Sequence, residues 1–110
     1  MSESIFVRET DFASAEKTIR TILSDVDAGK YDQELSQSGV TRPQGKLLDG
    51  LDLSMSGQGM SPNEWFEIIA IFGPVVATAA KDVWSIIVVP KLKRAFRDDC
   101  VSPNNPKQNK

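Results

Sequence analysis

Histidine is absent from the 110 residues of this chain. With it go histidine-activated nucleophiles and imidazole metal sites. A single cysteine, Cys100, leaves no intramolecular disulfide. It stands between Asp99 and Val101, two residues from Asp98, and like charges beside a sulfur do not suit a reactive thiolate. Neither sign of charge dominates: 13 basic and 15 acidic side chains sum to −2. That balance argues against nucleic acid as a partner, because phosphate binding needs a basic surface to displace counterions. The opening residues, Met1-Ser-Glu-Ser-Ile-Phe-Val-Arg-Glu9, lack the basic-then-apolar layout of a secretory signal. A reducing cytoplasm is the expectation, with membrane association as the alternative.

Against this plain background one feature is prominent. Trp65 to Val89 is almost wholly apolar, interrupted at Gly73-Pro74 and followed by Pro90 and a basic knot of Lys91, Lys93, Arg94 and Arg97. The run is long enough to span a bilayer. However, Glu67 lies near one end and Lys81-Asp82 in the middle. A charge at mid-membrane costs about 2.5–3.5 kcal/mol on insertion scales, which favours a soluble core or an interface. Charge is also divided along the chain. Residues 1–60 carry ten acidic and six basic side chains, and residues 61–110 carry five and seven.

The elements predicted from pattern are of mixed type. Ser4–Glu9 reads as a strand with Ile5 and Val7 on one face. Asp11 offers an N-cap oxygen, and Phe12, Ala15, Ile19, Ile22, Leu23 and Val26 recur at helical steps until Gly29 ends the helix. Residues 30–46 are polar and read as a flexible connection. Leu51-Asp-Leu53-Ser-Met55-Ser alternates, the pattern of a half-buried strand. Ser61-Pro62-Asn63-Glu64 is a capping box, with Met60 and Trp65 placed as a hydrophobic staple, so a helix is expected from Pro62. Gly73-Pro74 should kink or break that helix. In the segment beyond, Thr78, Lys81, Asp82 and Ser85 form a narrow polar stripe. Ile86–Val89 alone passes for a strand, but the spacing through Leu92 and Phe96 favours helix.

The expected fold is therefore a small α+β domain of order β-α-β-α-α. It has two short strands and a kinked apolar C-terminal hairpin or bent helix. Residues 1–29 and 47–98 form one compact unit, 30–46 connect them, and 99–110 are a disordered tail.

Candidate chemistry is sparse. Asp25-Val-Asp27-Ala-Gly29-Lys-Tyr-Asp32 imitates a calcium loop, but its glycine falls one place early and Ser36 stands where a glutamate is needed. Gly57-Gln-Gly59 precedes the expected helix, but lacks the third glycine of a dinucleotide site and the lysine of a P-loop. Asp49 and Asp52 read as wet or turn carboxylates rather than an acid–base pair. No nucleophile has a base beside it, so the reading is non-enzymatic, with no catalytic, metal or cofactor residues. An apolar helix pair too large for its partners to cover points to association. The expected interface is Trp65, Phe66, Ile69, Phe72, Val76, Val83, Trp84, Ile87, Lys91 and Arg94, meeting a second copy or another protein. A membrane-active role for residues 65–97 is the alternative reading.

The layout Leu51-Asp-Leu-Ser-Met-Ser-Gly-Gln-Gly59, then Pro62, Ala80-Lys-Asp-Val-Trp84 and Leu92-Lys-Arg94 resembles small strand-plus-helix modules that accompany effectors in bacterial conflict systems. The resemblance covers residues 51–96 and implies an accessory or adaptor module rather than an enzyme. It transfers no site residue.

Overall fold

Three helices stand beside a four-stranded antiparallel sheet in the computed structural model, which describes residues 2–56 and 64–104. Strand β1 (Ser2–Val7) is followed by α1 (Phe12–Asp27), the short α2 (Asp32–Gln37) and β2 (Asp52–Ser56). Then come β3 (Phe66–Ile71), α3 (Ala77–Val83), a widened turn at Trp84–Val88, α4 (Val89–Phe96) and β4 (Val101–Ser102). The widened turn joins α3 to α4 as one bent helix. The sheet order is β2-β3-β1-β4. With α2 set aside, the chain runs β-α-β-β-α-β, the split β-α-β or ferredoxin-like arrangement.

The α+β expectation holds in outline, and the largest correction falls on the helix expected from Pro62. The capping residues Ser61, Pro62 and Asn63, with Met60, lie outside the described residues. Glu64 sits at a bend, and Phe66–Ile71 is the central strand β3. Phe or Ile fills four of its six positions, the residue types that suit a pleated surface. Both of its faces carry apolar groups, so the alternation that marks an amphipathic strand was hidden.

The cross-strand register fixes the two faces. Ile5 pairs with Ile68 and Val7 with Phe66, while Leu53 of β2 pairs with Ala70. All six are buried, in one cluster with Ala15, Ile19, Leu23 and Val26 of α1 and with Val83, Ile87, Val88 and Leu92 of the bent helix. The helices therefore cover one side of the sheet. The stripe Thr78, Lys81, Asp82 and Ser85 is exposed, as its spacing indicated.

Local chemistry sets the element ends. Asp11 is the N-cap of α1, its Oδ1 accepting from the Ser14 amide at 2.7 Å. These Ser14 hydrogen bonds hold the Asp11 carboxyl below its ordinary value of 3.8. Gly29 ends the helix at φ 85°, the left-handed conformation that glycine adopts freely. Pro90 does not stop the final helix but sits in its first turn. Its ring would meet the carbonyl of Ile86 in a regular helix, and it has no N–H to donate. The turn before it widens, with the Val89 amide reaching back to the Trp84 carbonyl.

Two segments expected to lack structure are ordered. Residues 30–46 contain α2, anchored by fully buried Leu35. Lys91 of α4 lies over the Tyr31 ring at 4.7 Å and 3.8 Å from Glu34. The segment expected as a tail instead returns to the sheet. Phe6 pairs with Ser102 and Val7 with Val101, and the Arg8 amide donates to the Cys100 carbonyl at 3.0 Å. Residues 105–110 lie outside the described residues.

Asp27 ties the connection down. Its Oδ1 and Oδ2 accept from the Leu47 and Leu48 amides at 2.8 and 3.2 Å, and Arg42 donates to its carbonyl at 2.6 Å. Removing the carboxylate leaves amides beside buried Leu47 without acceptors. Asp27→Ala should destabilise the fold by about 2 kcal/mol, read as a lower denaturant midpoint at unchanged slope. Asp11 gives a separate pH signature. Because its folded pKa is depressed, its contribution is present above 3.8 and is lost as pH falls through the lower folded value. The wild type should lose stability in that acid window relative to Asp11→Ala, measured by thermal melts across pH.

Candidate functional site

The side of the sheet away from the helices is a surface built by the same register. Crossing from β2, its successive rows are Asp52–Ile71–Ser2, Ser54–Ile69–Ser4 and Ser56–Glu67–Phe6–Ser102. Trp65 and Arg8 continue the face one step past β3 and β1, where the Arg8 guanidinium stacks over the Trp65 ring at 4.9 Å. Ile69, Phe6 and Trp65 are half-buried, and Ile71 is 44% exposed. Each row thus holds a large group at its centre, with serines and Asp52 at the margins. An apolar centre with a polar rim is the anatomy of a protein-binding patch. Its charges are one cation, Arg8, against Asp52 and Glu67.

One end of this face is fixed by an ionic cluster. Glu9 and Arg97 are the two described non-glycine residues with positive φ, 60° and 81°. Their side chains meet, Arg97 Nη2 donating to Glu9 Oε1 at 3.0 Å. Cys100 sits between them, its Sγ accepting from Arg97 at 3.4 Å and donating to Glu9 Oε2 at 3.2 Å. The hydrogen bond to Cys100, with Glu9 and Asp99 beside it, raises the Arg97 pKa above its ordinary value. Two opposed charges hold the end of β1 against the turn from α4 into β4. The arrangement is structural: the thiol is buried and donates to a carboxylate.

The expected interface residues divide sharply. Phe66, Phe72, Val76, Val83, Trp84 and Ile87 are buried in the chain's own core. Phe72 and Trp84 pack edge to face at 6.2 Å, and the Trp84 indole N–H donates to the Ser4 carbonyl at 3.0 Å. These six are covered without a partner, because β3 turns the first half of the apolar run into sheet. Trp65 and Ile69 come together on the open face. Lys91 and exposed Arg94 lie on α4, behind the sheet. Phe6, Arg8, Glu67 and Ile71 were missed. Alternation about Ile5 and Val7 already placed Phe6 and Arg8 opposite them, but Glu67 and Ile71 needed Phe66–Ile71 to be read as strand.

The remaining candidates do not converge. Asp25 pairs with Lys30 at 3.2 Å, Asp32 with Arg42 at 3.4 Å, and Asp27 is occupied by amides. Among the described residues no group of three or more acidic or cysteine side chains is placed to hold a metal. Asp49 and Asp52 are both exposed, and Gly57 and Gly59 lie outside the described residues. Among the described residues no helix is long and apolar enough to cross a membrane.

No protein-family model, curated protein or solved structure matches the chain.

The docked position of Cys100 is open to test. In the folded protein its thiol should resist an aromatic disulfide reagent and react fully once denatured. Rapid labelling of native protein would show that the turn from α4 into β4 is not held against Glu9.

Proposed function

We propose that the chain is a small non-enzymatic adaptor that binds a protein through the open face of its sheet. The observation that carries this reading is the patch of Trp65, Ile69, Ile71 and Phe6, left uncovered while both main helices lie on the other side. An accessory role of this kind is also what the likeness to effector-associated modules implies. The partner surface is another protein rather than nucleic acid. RNA-binding sheets of similar layout stack bases on paired aromatics and draw phosphates with basic groups. Here isoleucines hold the central rows, and the anions on the face outnumber the cation.

The membrane-directed alternative loses its two supports. The apolar run is divided between a strand and a bent helix whose buried residues fill the core. The basic knot is largely neutralised within the chain: Lys91 lies near Glu34, Lys93 3.7 Å from Asp98, and Arg97 on Glu9. Of the four, Arg94 alone has no ion pair among the described residues.

A photo-crosslinking side chain at Ile71, introduced in cells, should give a discrete protein adduct whose mass shows whether the partner is this chain or another. The same group at Thr78, on the wet side of α3, should give none, and Ile69→Lys should abolish the Ile71 adduct by placing a charge in the contact. Equal labelling from both positions, or an adduct indifferent to Ile69→Lys, would remove the sheet face as the working surface.

A further inference from the structure

The two ends of the sheet are treated differently. At one end β4 covers Phe6 and Val7, and beyond it the Trp84 indole takes up the Ser4 carbonyl. At the other end lies β2, whose outer edge has no partner among the described residues. Edge strands are ordinarily defended by proline, lysine, a bulge or an inward-pointing charge. Asp52-Leu-Ser-Met-Ser56 has no proline and no cation, and it pairs without a break along Ile71–Glu67. Its single charge, Asp52, faces outward. Met55 points to the helix side, opposite Ile68, yet is 41% exposed, with no strand beyond it among the described residues.

We infer that a second copy of this chain adds at the β2 edge, joining two sheets into one eight-stranded antiparallel sheet about a two-fold axis at Ser54. The sequence of the strand selects this partner and this register. Antiparallel partners must share a face, so inward residues 53 and 55 can meet only each other or themselves. Centring on Ser54 pairs all five residues: Leu53 with the second copy's Met55, twice, and Asp52 with its Ser56. Met55 then gains an apolar neighbour at the position where it is exposed. Centring on Asp52 would set carboxylate against carboxylate, and centring on Leu53 or Met55 would leave part of the strand unpaired. A two-fold axis perpendicular to the sheet keeps both helical layers on one side. The two open faces become a single surface, with the Ile69 and Ile71 rows of each copy flanking the axis.

The inference rests on reading the chain as an associating module, but it uses the edge where that reading uses the face. The purified full chain should be dimeric by light scattering at micromolar concentration. Met55→Lys should raise the dissociation constant by about tenfold or more, since an inward charge at an edge blocks pairing, and should keep the wild-type circular dichroism. Register is tested by disulfide trapping. Facing strands place Cα atoms about 4.5–5.5 Å apart, within reach of a disulfide. Ser54→Cys should therefore oxidise to a covalent dimer on its own, and Asp52→Cys mixed with Ser56→Cys should crosslink each other. Ser2→Cys, on the same face but across the sheet, should not. A wild-type monomer, a Met55→Lys dimer, or trapping at Ser2 equal to that at Ser54 overturns the edge assignment. In each case a retained Ile71 adduct leaves the face reading standing, and loss of that adduct with intact Ser54 trapping does the reverse.

Discussion

The pairing of Ile5 with Ile68 at the centre of the sheet is the contact on which the remaining structure depends. Both side chains are fully buried, and their register decides which residues of β1 and β3 turn inward. A slip of β1 by one residue against β3 would put Phe6 into the core and send Ile5 and Val7 to water. Because β3 runs between β1 and β2, this single register also orients Leu53 and brings the bent helix back over the sheet. The helix then delivers Val101 to the free side of β1. Apolar burial supplies the driving force, and the two-residue period of the strands directs it.

The same constraint explains how much was readable in advance. Helix α1 was legible because its periodicity, Asp11 cap and Gly29 stop agree with one another. β1 and β2 were legible by alternation. β3 was not, since Phe66, Ile68 and Ala70 pack on the helices while Ile69 and Ile71 look outward, and a short apolar run of this kind reads equally as helix. A strong capping signal just upstream then tipped the reading the wrong way. From that one misassignment came an excess of helical apolar surface, and from the excess came an interface drawn through Phe72, Val83, Trp84 and Ile87, which are core. α2 and β4 were missed for a different reason. Each depends on contacts remote in sequence, Leu35 with the core and Val101 with Val7, that polar local composition does not announce.

The open surface follows from the economy of a short chain. Two main helices cover one side of the four strands, and among the described residues no element covers the other. An antiparallel sheet tolerates this when its free face is polar. Here serines and Asp52 occupy the flanking positions and Glu67 stands within one row, but the central strand keeps Trp65, Ile69 and Ile71, and β1 keeps Phe6. Solubility alone would be better served by threonine or lysine at those places. Core packing does not require them either, since they point away from it. Retained apolar groups on a face that neither folding nor solvation calls for are the physical basis for assigning that face to a partner.

The two edges of the sheet are closed to different degrees. At β4 the chain invests structure in closure: a positive-φ pair, Glu9 and Arg97, clamps the turn, and the Trp84 indole N–H donates to the Ser4 carbonyl. Backbone strain of that kind costs about 1–3 kcal/mol per residue and persists only where surrounding contacts over-determine it. At β2 the described strand has no comparable device, and its inward Met55 leaves the core unfinished on one side. Among the described residues the fold strains two positions to close part of one edge and leaves the other open, so it is asymmetric in what it protects. That asymmetry supports the proposed pairing of a second copy at β2, whose outer edge is open among the described residues, rather than at β4.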